Sequence, residues 1–182
     1  MYVIRTLQKT QSNNRFRNHM KILICICTYH RNKSLLESLT NFNKILIPFN
    51  LNIEFLIVDN SINFESFNLI KNFKKKFRYT IYQINEKKRG IVNARNKCLK
   101  ISKKINCNYI AFFDDDCIVD NNWFKNVFNI IDIFKADIVT GPQIYFNKDR
   151  KNFDIRELFE KKNKKNVAKV VWAATNNVIL KK

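Results

Sequence analysis

An α/β protein with a mostly parallel, doubly wound sheet and helices on both faces is the fold class this sequence predicts. Short runs of almost wholly apolar, β-branched residues recur along the chain, as strands covered on both faces require. Longer segments with apolar residues at helical spacing lie between them. The two patterns alternate, which is the signature of parallel strands joined by helical crossovers. Polar or acidic residues stand where several runs end, and ligands bind beyond the carboxyl ends of such sheets.

The first 20 residues are basic, polar and weakly patterned, and are expected to form a poorly ordered extension. Met20 is an alternative start, and the domain is expected over residues 21–182. Ile22–Thr28 is nearly all apolar and reads as the first strand. Ser34 and Glu37 then fit a capping box. Leu35, Leu36, Leu39 and Phe42 follow at helical spacing, with Pro48 closing the segment. The second strand, Ile53–Val58, ends at Asp59-Asn60-Ser61. Phe64, Phe67, Ile70 and Phe73 mark a helix whose basic end, Lys71 to Arg78, complements the helix dipole. Tyr79–Ile84 alternates as a third strand. After the loop Glu86–Gly90, a helix carries Ile91, Ala94, Cys98 and Ile101. Tyr109–Phe113 is the fourth strand. Asp120 is expected to cap a helix bearing Trp123, Phe124, Val127, Phe128 and Ile131. Ile138–Thr140 is a fifth strand, stopped by Gly141-Pro142. Residues 149–166 are strongly charged, an exposed helix or a mobile loop. Val167–Ala173 and Val178–Leu180 are apolar again.

With 182 residues, 46% of them hydrophobic and 13% aromatic, the chain can bury a sizeable core, and a disordered composition is excluded. Net charge is +19, from 34 Lys+Arg against 15 Asp+Glu. Such a surface favours anionic partners: nucleotides, nucleic acid or acidic lipid headgroups. Compositional drift explains the same excess, since Lys, Asn, Ile and Phe are all heavily used. Of the five cysteines none forms a C-x-x-C pair, and Cys25 and Cys27 share one strand face, a poor geometry for bridging each other. They read as small buried residues in a reducing cytoplasm. Cys117 is alternatively a soft ligand. No apolar run approaches the roughly 20 residues of a membrane span. The start shows no secretory pattern, so the expected location is cytoplasmic, including the inner face of the membrane.

The stretch carrying most chemistry is Ile110-Ala111-Phe112-Phe113-Asp114-Asp115-Asp116. Three adjacent carboxylates repel, and burying one without a partner is costly. A hard divalent cation or a Lys/Arg cluster would relieve this. Oxygen ligands alone favour Mg²⁺ or Mn²⁺, with open positions for water and a substrate phosphate. A solvated acidic turn without a ligand is the alternative.

Four segments, in their order and spacing, resemble the family 2 glycosyltransferases. They are Ile24–Arg31, Phe55–Ser61, Arg89–Asn96 and Phe112–Asp116, and the resemblance runs from Lys21 to the end of the chain. It implies the GT-A fold, a Rossmann-like nucleotide-sugar-binding core. It implies that Thr28, Tyr29 and Arg31 line the nucleotide pocket and that Asp59 accepts hydrogen bonds from the base or ribose. Gly90, Ala94 and Arg95 would lie near the diphosphate, where a glycine loop opening a helix aims N–H groups at phosphate. Asp114 and Asp116 match the metal-binding DxD pattern, with Asp116 foremost and Asp114 holding Mg²⁺ or Mn²⁺, and with Asp114 and Asp115 also on the donor. Asn176 would lie near the donor sugar, or is an ordinary turn residue.

The resemblance further implies a nucleotide-diphospho-sugar donor and a saccharide or lipid-linked saccharide acceptor; from the basic surface, peripheral contact with acidic membrane is a further expectation, and no specific nucleic acid is expected. An inverting member also needs a carboxylate base. In the family this base lies downstream of the segment resembling Val171–Lys182, so none is assigned here and the domain reads as C-terminally incomplete. A catalytically incomplete donor-binding fragment is the alternative. A basic nucleic-acid-binding protein ranks below it, for want of a helix–turn–helix, zinc-finger or RNA-binding aromatic signature. An Asp-x-Asp phosphatase is disfavoured because its pair would follow the first strand.

Overall fold

The computed structural model describes residues 19–141, 145–146, 152–153 and 173–182. In chain order the elements are β1 (Met20–Thr28), α1 (Asn32–Phe42), β2 (Leu51–Asp59), α2 (Phe67–Phe73), a 3₁₀ turn (Lys74–Lys76) and β3 (Thr80–Asn85). Then come α3 (Ile91–Ser102), β4 (Tyr109–Asp114), α4 (Trp123–Phe134) and β5 (Ile138–Thr140). A two-stranded pair, β6 (Tyr145–Phe146) with β7 (Asn152–Phe153), stands apart, and β8 is Asn177–Lys181.

The main sheet has six strands in the order β3-β2-β1-β4-β8-β5. Strands β1 to β4 are mutually parallel, and β8 runs antiparallel between β4 and β5. The chain winds outward from β1 in both directions, as the alternating pattern predicts. The antiparallel insertion is new, because three apolar residues at Val178–Leu180 carry no directional information.

The central strands are apolar on both faces because both faces are covered. On one side, Ile22, Ile24 and Ile26 of β1 pack with Leu35, Leu39 and Phe42 of α1, Ile70 of α2, and Phe124, Val127 and Phe128 of α4. Phenylalanines knit this layer: Phe42 meets Phe55 and Phe113 edge-on, and Phe55 meets Phe77. Such contacts add roughly 0.5–1.5 kcal/mol each beyond burial. On the other side, Leu23 and Cys25 pack against Ala94 and Cys98 of α3. All five cysteines are free thiols; Cys25, Cys98 and Cys107 are buried and the other two half-buried.

Four local expectations are corrected. Helix α1 opens at Asn32 after Arg31, so Ser34 and Glu37 lie inside the helix and form no capping box. Arg31 is tied to the carboxylates of Asp115 and Asp116 in the turn after β4, and that tertiary contact, rather than a local cap, fixes the start. Phe64 precedes α2 and has a left-handed backbone (φ 53°). Asp120 caps the turn before α4: its Oδ1 accepts the Asn122 N–H at 2.8 Å, and the helix opens at Trp123. Met20 already pairs with Leu51, so β1 reaches one residue into the expected extension. Residues 1–18 and most of 142–172, including the charged 149–166 segment apart from Asn152 and Phe153, lie outside the described residues.

Candidate functional site

Parallel strands place their carboxyl ends in a row. Thr28 stands opposite Asp59, Asp59 opposite Asn85, and Cys27 opposite Asp114. Because β8 runs the other way, its first residue, Asn177, opposite Phe113, reaches the same edge. Residues from five strands therefore converge there.

The aspartates do not point apart into solvent. Asp115 is buried; its Oδ2 accepts the Thr28 hydroxyl at 2.8 Å and its Oδ1 lies 3.0 Å from Arg31 Nη1. The other Arg31 nitrogen, Nη2, donates to Asp116. Arg95, one turn into α3, donates to Asp114 Oδ1 at 3.2 Å. Two arginines thus offset three neighbouring carboxylates. Burial pushes the Asp115 carboxyl above its ordinary value, against the Thr28 hydrogen bond and the Arg31 charge. Burial opposes the charge on Arg31, but the hydrogen bond to Asp116 and the nearby carboxylates outweigh it and raise its pKa. Asp114 and Asp116 keep 37% and 50% of their side chains exposed, so both are open to a ligand.

Asp59 behaves differently. Its side chain accepts the Ser61 N–H at 2.8 Å on Oδ1 and the Ser66 N–H at 2.7 Å on Oδ2, and it is 1% exposed. Both oxygens build the loop entering α2, where the resemblance implied a contact to base or ribose. Asn60 ties β2 to the loop before α3. Its Nδ2 donates to the carbonyls of Glu86 (2.6 Å) and Lys88 (2.8 Å), and its Oδ1 accepts the Gly90 N–H at 2.7 Å. Asn85 donates to the carbonyls of Asp59 and Ser61. The same loop sets the Arg89 guanidinium 5.3 Å over the half-exposed Tyr29 ring. Asn176 turns into β8, and its carbonyl lies 3.5 Å from the Cys117 thiol. Burial pushes that thiol up to about 11, which does not favour a thiolate ligand.

The model of the family described as "Glycosyl transferase family 2" matches residues 23–179. The chain belongs to glycosyl transferase family 2. An uncharacterised glycosyltransferase of Acanthamoeba polyphaga mimivirus is 34% identical over 146 residues, covering 74% of this chain and 54% of the relative. The succinoglycan biosynthesis protein ExoM of Rhizobium meliloti is 26% identical over 123 residues, covering 68% and 38%. The chain thus spans about half, or less, of the length of these relatives. Among solved structures, TarS of S. aureus in complex with UDP-GlcNAc superposes with a TM-score of 0.52 at 21% identity, covering 71% of this chain and 39% of TarS. The mannosyltransferase PcManGT from Pyrobaculum calidifontis, in complex with GDP-Man and Mn²⁺, gives 0.57 at 15% identity, covering 69% and 36%. At such identities the likeness concerns the fold, which is the expected GT-A fold.

Within this family 2 domain, contacts join Thr28, Arg31, Asp115 and Asp116 directly and Arg95 with Asp114; Tyr29 and Gly90 border them through Arg89 and Asn60. The bridging hydrogen bonds of Asn60, Asn85 and Asn177 were not expected from the sequence. Asn177 accepts the Trp123 indole N–H at 2.9 Å and, through its carbonyl, the Thr140 hydroxyl at 2.8 Å. The signal for Asn60 was its place at a strand end, where one amide can serve both backbone donors and acceptors. Gly90 is required by its backbone, at φ 121°. A Cβ there would come no nearer than 3.4 Å to Asn93 Nδ2, so backbone strain rather than collision sets the cost. Gly90→Ala is expected to lower stability by about 1–2 kcal/mol, read from a urea midpoint shift at unchanged m.

Proposed function

We propose that this domain binds a nucleoside-diphospho-sugar along the carboxyl edge of β1, β2 and β4 and passes the sugar to an acceptor hydroxyl of a saccharide or lipid-linked saccharide. The observation that carries the proposal is the convergence of Thr28, Arg31 and Arg95 on three aspartates at that edge. The family assignment supports the reaction class, and the neighbours' complexes with UDP-GlcNAc and GDP-Man support the donor class.

Mg²⁺ or Mn²⁺ fits the donor set. Asp114 and Asp116 offer hard carboxylate oxygens open to solvent. Among the described residues no three His, Cys, Asp or Glu side chains surround a common point. An ion there would therefore draw further ligands from phosphate and water, as Mg²⁺ commonly does. Asp116 and Asp114 would hold it, and when bound it supplies charge stabilisation to the departing diphosphate.

The chain's own groups do the rest. Thr28 fixes one Asp115 oxygen and Arg31 the other, so the middle carboxylate is a rigid brace. Arg31 and Arg95 lie beside the exposed carboxylates, within reach of phosphate oxygens, where a guanidinium forms strong paired hydrogen bonds. The N-terminus of α3, opened by Gly90, adds backbone N–H groups suited to a phosphate. Tyr29, with Arg89 over its ring, offers a stacking face for a base.

Calorimetric titration of a panel of nucleoside diphosphates, with and without Mn²⁺, tests this. At least one diphosphate is expected to bind, about tenfold or more tightly with Mn²⁺. No binding by any of the panel in the presence of metal would sink the proposal.

A further inference from the structure

We propose that the edge of the sheet opposite the aspartates docks on an anionic lipid bilayer. Its β2–β3 end is built by the loops that enter those two strands, while Asp132 and Asp137 lie at its far end, beside β5. The first, between α1 and β2, leaves Leu46 at 76% and Phe49 at 90% exposure. The second carries Lys74, Lys75 and Lys76 in the 3₁₀ turn, followed by Arg78, all exposed.

The two loops are joined. Asn43 Nδ2 donates to the Lys76 carbonyl at 3.2 Å, and Asn43 Oδ1 accepts the Arg78 N–H at 3.1 Å. The Arg78 guanidinium donates to the Ile45 carbonyl. Between those contacts Ile45 and Phe77 are buried. A turn closed by Leu51 N–H to the Pro48 carbonyl, at 3.0 Å, holds Phe49 at its bend. The apolar pair is thus carried on a fixed projection, tied to a basic turn.

The charge is one-sided. No acidic residue occurs between Glu37 and Glu54, nor between Glu65 and Glu86, while Lys44 and Lys71 extend the cationic surface. Scattered exposed apolar side chains are ordinary on a protein surface. Two on one hydrogen-bonded loop, beside a basic turn and with no acidic residue in either loop, match the chemistry of an anionic membrane. Headgroups attract the lysines, and the apolar tips enter the boundary with the acyl chains. A nucleic acid would use the same charge and could stack on Phe49, but it makes no use of the aliphatic Leu46, whereas a bilayer takes up both.

The orientation has a consequence. Strand β2 runs nine residues from this edge to Asp59, roughly 25–30 Å. The aspartate edge would face away from the lipid, so an acceptor must reach it from solution or on a chain of that length.

Sedimentation of the full chain with vesicles of phosphatidylcholine, with and without about one-third phosphatidylglycerol, tests the proposal. Binding is expected on the anionic vesicles alone, weakening steeply with salt. The double variant Leu46→Glu/Phe49→Glu should bind about tenfold or more weakly, and Lys75→Gln/Lys76→Gln several-fold more weakly. Lys100→Gln/Lys125→Gln, which removes the same charge elsewhere, should bind as the unaltered chain does. These side chains are exposed, and an unchanged thermal midpoint will show that the variants fold. Equal binding to uncharged vesicles would overturn the proposal. So would anionic binding that ignores the Leu46/Phe49 change, or capture by duplex DNA without vesicle binding.

Discussion

Asp116→Asn is expected to remove the metal-dependent part of nucleotide binding while leaving the protein folded. The stability half follows from exposure. Asp116 and Arg31 are each about half exposed, and such ion pairs contribute roughly 0–1 kcal/mol. Arg31 also keeps its second carboxylate partner, Asp115, after the change. The binding half follows from charge and ligand chemistry. An amide oxygen is neutral and a far poorer ligand for a hard cation than a carboxylate. Removing one of three adjacent negative charges also leaves Arg31 freer to meet phosphate directly. The variant is therefore expected to bind a diphosphate with the same affinity with and without Mn²⁺. The unaltered chain should show a gap of about tenfold or more, or about 1.4 kcal/mol. Asp120→Asn, in the following loop and exposed, is the charge-matched control and should retain the gap. Titration calorimetry on the three proteins decides it: a full Mn²⁺ effect in Asp116→Asn would remove Asp116 as a metal ligand.

Much of this arrangement was legible before the structure, for reasons tied to particular residues. Ile22–Cys27 and Phe55–Val58 had to be covered on both faces, because neither alternates. That alone makes them central parallel strands and places Thr28, Asp59 and Asp114 at one edge. What escaped has two origins. Short local signatures misled where a distant contact decides: Ser34 and Glu37 mimic a cap, yet α1 begins where Arg31 meets Asp115 and Asp116, after His30 has turned left-handed (φ 54°). Frequent residues hid specific ones. Asparagine is so common in this chain that Asn85 did not stand out, and Asn60 and Asn177, though in motif segments, carried no role of their own, although each bridges two or more polar groups at the site edge. Side chains that satisfy backbone groups of other loops leave no periodic trace in sequence.

Replacement of Asp59 is expected to have the largest effect on stability. The family resemblance assigns it to the nucleotide, yet both its oxygens hold backbone N–H groups, at 2.8 and 2.7 Å, in a buried setting. Hydrogen bonds to a charged acceptor contribute roughly 1.5–3 kcal/mol each, and a buried donor left unpaired carries a similar penalty. Asp59→Ala strands both the Ser61 and Ser66 donors. Asp59→Asn keeps one and turns an amide N–H₂ toward the other. We expect losses of about 3–5 kcal/mol for Ala and about 3 for Asn. For a chain of this length that corresponds to roughly 10 °C in thermal midpoint. The loop these bonds shape runs beside Asn60, which in turn holds Gly90. Nucleotide affinity should therefore fall as well, but as a consequence of loop disorder. The two roles separate on one measurement: a saturating diphosphate stabilises Asp59→Asn by nearly as many degrees as the unaltered chain if Asp59 only builds the loop. If Asp59→Asn melts where the unaltered chain does and yet binds no nucleotide, the carboxylate is a direct ligand and the loop-building account fails.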